Sequence, residues 1–139
     1  MGDLVESLTR GNVTEVKVLL ASVAIALAAY QLVLIAVGYG KLRPRFLGAR
    51  PASRAHRIVG TTILLVAVVT ALMCVSYFEI EDEAVWHAGF AIAFLAVLFV
   101  KVAVVRRGGA AGRFLPVLGA TAFVLLALTW ATSAGDFLL

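Results

Sequence analysis

Residues 53–87, SRAHRIVGTTILLVAVVTALMCVSYFEIEDEAVWH, decide the fold and hold most of the chemistry that the sequence offers. The stretch begins with basic residues, continues as an apolar segment and an acidic turn, and ends where a second apolar segment opens with Trp86 and His87. It contains both histidines, the single cysteine and one of the two methionines of the chain. Two apolar segments joined by a short polar turn predict a helical hairpin that crosses a membrane twice.

The composition extends this prediction to the whole chain. Charged residues make up 14% of it and hydrophobic residues 63%, whereas soluble domains carry about 25% charge. A bilayer core of about 30 Å needs about 20 apolar residues per helix, and four segments reach that length, at roughly 16–37, 57–78, 84–105 and 114–134. The sequence therefore predicts an all-α, polytopic membrane protein, with residues 1–139 forming a single domain of four transmembrane helices in an up-down bundle.

The first segment has the wrong flank for a cleaved signal peptide. Its leader carries Asp3, Glu6 and Glu15 against Arg10, while signal peptides begin with a positive region. We expect this segment to remain as a helix. The lone Cys74 excludes an internal disulfide and gives no information on the redox compartment.

The charges of the connections predict the topology. Residues 38–57 contain six Lys and Arg and no acid, and three more arginines follow the third segment, whereas residues 79–83 contain four acids and no base. Short cytoplasmic loops collect Lys and Arg, so we expect a multi-pass protein of the cytoplasmic membrane with both termini and the acidic turn outside. The formal net charge of +4 is then a topology signal, and it is no argument for a nucleic-acid partner.

The basic end of the second segment carries the motif S-x-x-H-R-x-x-G, formed by Ser53, His56, Arg57 and Gly60. His56 and Gly60 share a helix face, where a glycine can admit a flat group or another helix. The motif resembles the helix start of succinate dehydrogenase membrane anchors, and this resemblance implies a nearby quinone. The alternative is an interfacial His–Arg pair with Arg57 reaching lipid phosphates. We expect Ser53 to cap the helix.

Met73 and His87 are predicted to lie at similar depth near the outer edge of the membrane. In a hairpin whose turn centres on Glu81, Met73 comes eight residues before that point and His87 six after it. His56 lies about 25 Å from Met73 along the helix, so the two histidines cannot bracket one haem. Because His and Met both ligate haem iron, the sequence predicts one haem b bound by His87 and Met73. The alternative places Trp86 and His87 in the outer aromatic belt.

Lys101 lies on the same stripe of the third segment as His87 and comes out at the depth of His56. Charged residues inside apolar spans are expensive and usually face the bundle interior or reach for an interface. The sequence thus predicts an inner basic pocket of His56, Arg57 and Lys101 for haem propionates or a quinone headgroup. Snorkelling of Lys101 to the interface is the alternative.

Several motifs together resemble a known family. They are H-R-x-x-G, a ligand-type residue before Cys74, a histidine opening the third segment, K-V-A-V-V-R-R at 101–107, F-L-P-V-L-G at 114–119 and L-T-W-A-T-S at 128–133. Over about residues 53–139 the chain resembles a poorly characterised actinobacterial family of four-helix membrane proteins, similar to small b-type cytochromes, some encoded beside Rieske iron–sulfur proteins. The resemblance implies electron transfer with other membrane or outer-side redox subunits. In that family the residue before the cysteine is a histidine, whereas here it is Met73.

Three functions follow from these observations. The first is an electron-transfer subunit that passes electrons between quinol and an outer-side redox partner, and the second is a haem-free structural or anchoring subunit of a larger membrane complex. The third, a small transporter or channel, needs a polar residue at the midplane, where the segments carry Ala, Val, Leu, Thr and Phe. Motifs for nucleotide binding, zinc proteolysis and dithiol chemistry are missing from the sequence. Electron transfer is therefore the favoured prediction, at most as one subunit of an oxidoreductase.

Overall fold

The computed structural model describes residues 2–46, 48–77, 84–135 and 138. A short helix precedes four long ones: α1 (Gly2–Thr9), α2 (Val13–Gly38), α3 (Ala49–Tyr77), α4 (Val85–Arg107) and α5 (Leu115–Trp130). A 3-10 turn at Gly109–Phe114 leads into α5, and a π-helical turn at Ala131–Gly135 extends it. Four helical stretches are long and apolar enough to cross a membrane: Val13–Gly38, Arg50–Ser76, Val85–Arg107 and Gly109–Gly135. The predicted all-α fold with four membrane-spanning helices is confirmed, and the chain is a multi-pass membrane protein.

The second spanning helix begins earlier than the apolar pattern indicated. Helix α3 starts at Ala49, not near Arg57, and Pro51 lies in its first turn, where a missing N–H leaves no hydrogen bond unmade. Ser53 therefore lies inside the helix with an exposed side chain, and the expected N-cap role is wrong. With 29 residues, α3 is about 43 Å long, so its basic first turns extend beyond a hydrocarbon core.

The four long helices pack as two pairs. Helix α2 lies along α3 and α4 lies along α5, while α2 also packs on α5 and the described parts of α3 and α4 meet at few points. Both pairs are joined at the end that carries residues 39–57 and 106–114, which we call the basic end. Near the opposite end the Trp130 Nε1–H donates a hydrogen bond of 3.1 Å to the hydroxyl of Ser22. The predicted acidic turn at 79–83 lies outside the described residues.

Small side chains let the two pairs approach one another at mid-depth. The buried cluster there consists of Ala24, Ala28, Ile63, Phe94, Ala122 and Leu126. Small residues favour helix packing in membranes because close backbones gain van der Waals contact. Towards the basic end this close packing gives way to a cavity.

A glycine pair makes the turn that closes the second helix pair. Gly108 and Gly109 have φ angles of +65° and +71°, in the left-handed region that glycine adopts without steric penalty. Arg106 and Arg107 stand in the last turn of α4, where positive charge complements the helix dipole. The turn thereby brings α5 back alongside α4, and Pro116 lies at the start of α5.

Candidate functional site

A cavity of about 430 Å³ lies between the two helix pairs towards the basic end. The described parts of α3 and α4, which both line it, meet at few points. All four long helices contribute to its apolar wall, which includes Ala28, Ile63, Phe94, Leu98, Ala122 and Phe123. Twelve residues of α4 separate Phe94 at the deep end from Arg106 at the mouth, which corresponds to about 18 Å along the helix. The space is apolar at its deep end and polar at its mouth.

The structure brings the three residues of the predicted inner pocket to this cavity. His56 and Arg57 line it from α3, and Lys101 lines it from α4. The charge of Lys101 is close enough to His56 to act on the imidazole. A Cβ added to Gly119 of α5 would lie 3.8 Å from Nζ of Lys101, so the lysine side chain extends towards a residue that leaves it room. His56 and Lys101, which are far apart in the sequence, thus share one site.

Gln31 is a part of this site that the sequence did not reveal. Its side chain on α2 is only 7% exposed, and Nε2 donates a 3.2 Å hydrogen bond to the main-chain oxygen of His56. A Cβ on Gly60 would lie 3.0 Å from the same Nε2. The glycine of the H-R-x-x-G motif therefore admits the amide of a neighbouring helix. The available signal was the position of a glutamine inside an apolar span, where polar groups are rare and functional.

The imidazole of His56 is incompletely paired. Its Nδ1 atom is buried and has no hydrogen-bond partner among the described residues. An unpaired buried polar atom costs about 1–3 kcal/mol. A ligand oxygen within hydrogen-bond reach would remove that cost. Buried polar groups without a partner are rare in folded proteins, and because this atom has almost no accessible surface, a ligand in the cavity would reach it only after the side chain shifts.

Among the described residues that line the cavity, the charged ones are all positive. Arg57, Lys101 and Arg106 belong to its lining, and the described residues that line it include no Asp or Glu. The described acids, Asp3, Glu6 and Glu15, lie on α1 and the first turn of α2, at the opposite end of the bundle. Arg106 was noted in the sequence only as a topology signal, because helical spacing alone does not show which of two adjacent arginines lines a cavity.

The predicted haem ligands lie elsewhere, towards the opposite end. Nδ1 of His87 is 3.1 Å from the main-chain oxygen of Thr129 and 3.4 Å from the Thr132 hydroxyl, both on α5 or its extension. The tautomer with hydrogen on Nδ1 donates to that carbonyl and leaves the Nε2 lone pair available. Metal-ligating histidines are commonly held in this way. Met73 is 8% exposed, so its side chain also faces protein, and neither residue lines the cavity.

The surroundings of His87 do not fit a residue of the outer aromatic belt. Trp86 is 74% exposed and suits a membrane interface, whereas His87 is half-buried and tied to α5. Lys17 of α2 is close enough to act electrostatically on both His87 and Cys74. Within the described chain no group of three or more His, Cys, Asp or Glu could hold a metal ion.

Comparison with known proteins places the chain in a family without assigning it an activity. A family model described as "Family of unknown function (DUF6529)" matches residues 4–139. No curated protein matches the chain, and no solved structure matches it. Because the family model covers nearly the whole chain, the protein belongs to the DUF6529 family.

Proposed function

We propose that this member of the DUF6529 family is a small membrane-embedded electron-transfer subunit that resembles a b-type cytochrome. It binds a quinone headgroup in the cavity at the basic end and carries one haem b near the opposite end. The observation that carries this proposal is the arrangement of His56, Arg57 and Lys101 around one deep apolar cavity. Cofactor sites are typically apolar clefts with a few convergent polar groups.

The cavity has the chemistry that a quinone needs. Its apolar wall accommodates a flat ring, and the polar mouth offers donors to the ring oxygens from His56, Arg57 and Lys101. Thr61 and Leu64 of α3 face Val102 and Val105 of α4 across the same cavity. Since these two helices meet at few points, an isoprenoid tail can extend between them into the lipid.

A haem b at the opposite end would be held by His87 and Met73. His87 would bind the iron through Nε2 while Thr129 holds the ring through Nδ1, and Met73, whose side chain is buried, would supply the thioether as second ligand. A haem held by His and Met would carry one electron at a time at a raised potential. Lys17, whose charge reaches His87, is a basic residue at that end that would pair with a propionate.

The haem assignment is tested by a reduced-minus-oxidised absorption spectrum of the purified protein, with a pyridine haemochrome assay for stoichiometry. We expect about one haem per chain, lost in His87→Ala and retained in His56→Ala. Haem retained in His87→Ala would show that this ligand is wrongly assigned. A featureless wild-type spectrum in haem-replete material would favour the alternative, a haem-free structural subunit of a larger complex.

We place the basic end on the cytoplasmic side of the cytoplasmic membrane, with both termini and an outer-side redox partner on the other. The support is the positive-inside rule applied to the basic residues of 39–57 and 106–114. In a Cys74→Ser background, Leu42→Cys should react with a membrane-impermeant maleimide only after cells are opened. Asn12→Cys should react in intact cells. The reverse labelling pattern would invert the topology.

A further inference from the structure

We propose that the cavity at the basic end selects a negatively charged ring, the ionised hydroxyl form of a quinol or hydroxyquinone, over the neutral quinone. This inference rests on the proposed quinone site and adds its charge specificity. It comes from the side chains that the cavity combines: the cations Arg57, Lys101 and Arg106, with no carboxylate in the described lining.

Lys101 is placed where a counter-charge is worth most, whereas Arg57 and Arg106 are exposed residues at the mouth. Lys101 is a half-buried residue, and the wall deeper in the cavity is apolar from Leu98 to Phe94. In such surroundings the effective dielectric constant is low and charge–charge interactions are strong. Like charges that line one cavity repel one another, and a neutral ligand leaves that repulsion in place. A single negative charge on the ligand interacts favourably with all three cations.

The positions of the basic side chains predict where the negative charge of the ligand would lie. Arg57 and Arg106 come from different helices near the mouth, and Lys101 lies more than one turn of α4 deeper than Arg106. His56 lines the same cavity from α3. An ionised ring oxygen at the level of Lys101 and His56 would lie at the boundary between the apolar wall and the basic mouth. A lipid phosphate, by contrast, would stay at the rim because it is too strongly hydrated to enter an apolar wall.

The test compares two ligands that differ in charge and hardly in shape. One is an alkyl-hydroxynaphthoquinone, whose hydroxyl is ionised at neutral pH, and the other is its methyl ether, which is neutral. Binding of each to the full chain in an uncharged detergent is measured by isothermal titration calorimetry. We expect the anion to bind about tenfold to a hundredfold more tightly, as charge-assisted hydrogen bonds contribute.

Matched variants test which side chains cause the preference for the anionic ligand. Lys101→Met and Arg106→Met should each reduce the anion's advantage, and Lys101→Arg should retain most of it. Arg107→Met is the control, since Arg107 follows Arg106 in the sequence and is exposed like it, but does not belong to the cavity lining. Its preference should equal that of the wild type.

The remaining outcomes overturn one proposal or the other. If neither naphthoquinone binds, the quinone site itself is wrong. If both bind equally, the site is retained and the charge selectivity is wrong. A preference that survives in both Lys101→Met and Arg106→Met would place the anion outside the cavity. Displacement of the anion by an alkyl phosphate at equal concentration would identify a lipid phosphate as the ligand and refute the inference.

Discussion

Gly60→Ala should destabilise the bundle, although alanine is the better helix former. The added Cβ would lie 3.0 Å from Nε2 of Gln31, and that nitrogen already donates to the His56 carbonyl at 3.2 Å. The amide must move, which costs the bond and leaves a buried donor poorly paired, about 1–3 kcal/mol. The gain from replacing a mid-helix glycine is about 0.5–1 kcal/mol. We expect a net loss of about 1 kcal/mol in the free energy of unfolding.

The effect of Gly60→Ala on the free energy of unfolding should change sign when Gln31 is also replaced by alanine. In Gln31→Ala the obstructing amide is gone, so Gly60→Ala should stabilise by about 0.5–1 kcal/mol. Gly89→Ala on α4 is the matched control, because an added Cβ there meets nothing within 4 Å, and it should stabilise in both backgrounds. The assay is unfolding by sodium dodecyl sulfate in mixed micelles, followed by far-ultraviolet circular dichroism. The same effect of Gly60→Ala with and without Gln31 would refute the proposed contact.

Two further predictions use the same unfolding assay. Ser22→Ala removes the acceptor of the Trp130 indole and should cost about 0.6 kcal/mol, the average for hydrogen bonds between membrane helices; an unchanged midpoint would show that this bond contributes nothing. Phe94→Ala, at a site 4% exposed, should cost about 3–5 kcal/mol, whereas Phe99→Ala, on an exposed face of the same helix, should stay within about 0.5 kcal/mol. Equal losses would contradict the burial of Phe94.

The spans were predictable because their length is set by the membrane. Hydropathy finds the part of a helix that lies in lipid, and it located all four spanning helices. It missed the start of α3 because the first turns there carry Arg50 and Arg54, which lower the hydropathy without opposing helix formation. The same reasoning gave Ser53 a cap position that the structure does not support.

The sequence predicted the depth of the site residues in the membrane, but not which helices pack against one another. Counting residues along helices placed His56 and Lys101 at one level, and the structure has them at one cavity. The count could not reveal Gln31, whose role depends on a glycine of another helix. It also could not show that α4 packs along α5 and hardly along α3, so that the described hydrogen bonds of His87 reach α5. Which helices become neighbours depends on the packing of whole faces, and chain order does not determine it.

The topology rule accounts for basic loops and not for a basic cavity. Positive charge on the cytoplasmic side is satisfied by any Lys or Arg near a helix end, as by the exposed Arg107. Lys101 instead lies within a span, where a charge costs about 2.5–3.5 kcal/mol near the centre and less towards the end. The orientation of the protein in the membrane does not require a charged residue within a span. A ligand that pairs with the ammonium of Lys101 would offset the cost of that charge. The cavity, and not the net charge of the chain, is therefore the feature that points to a bound ligand.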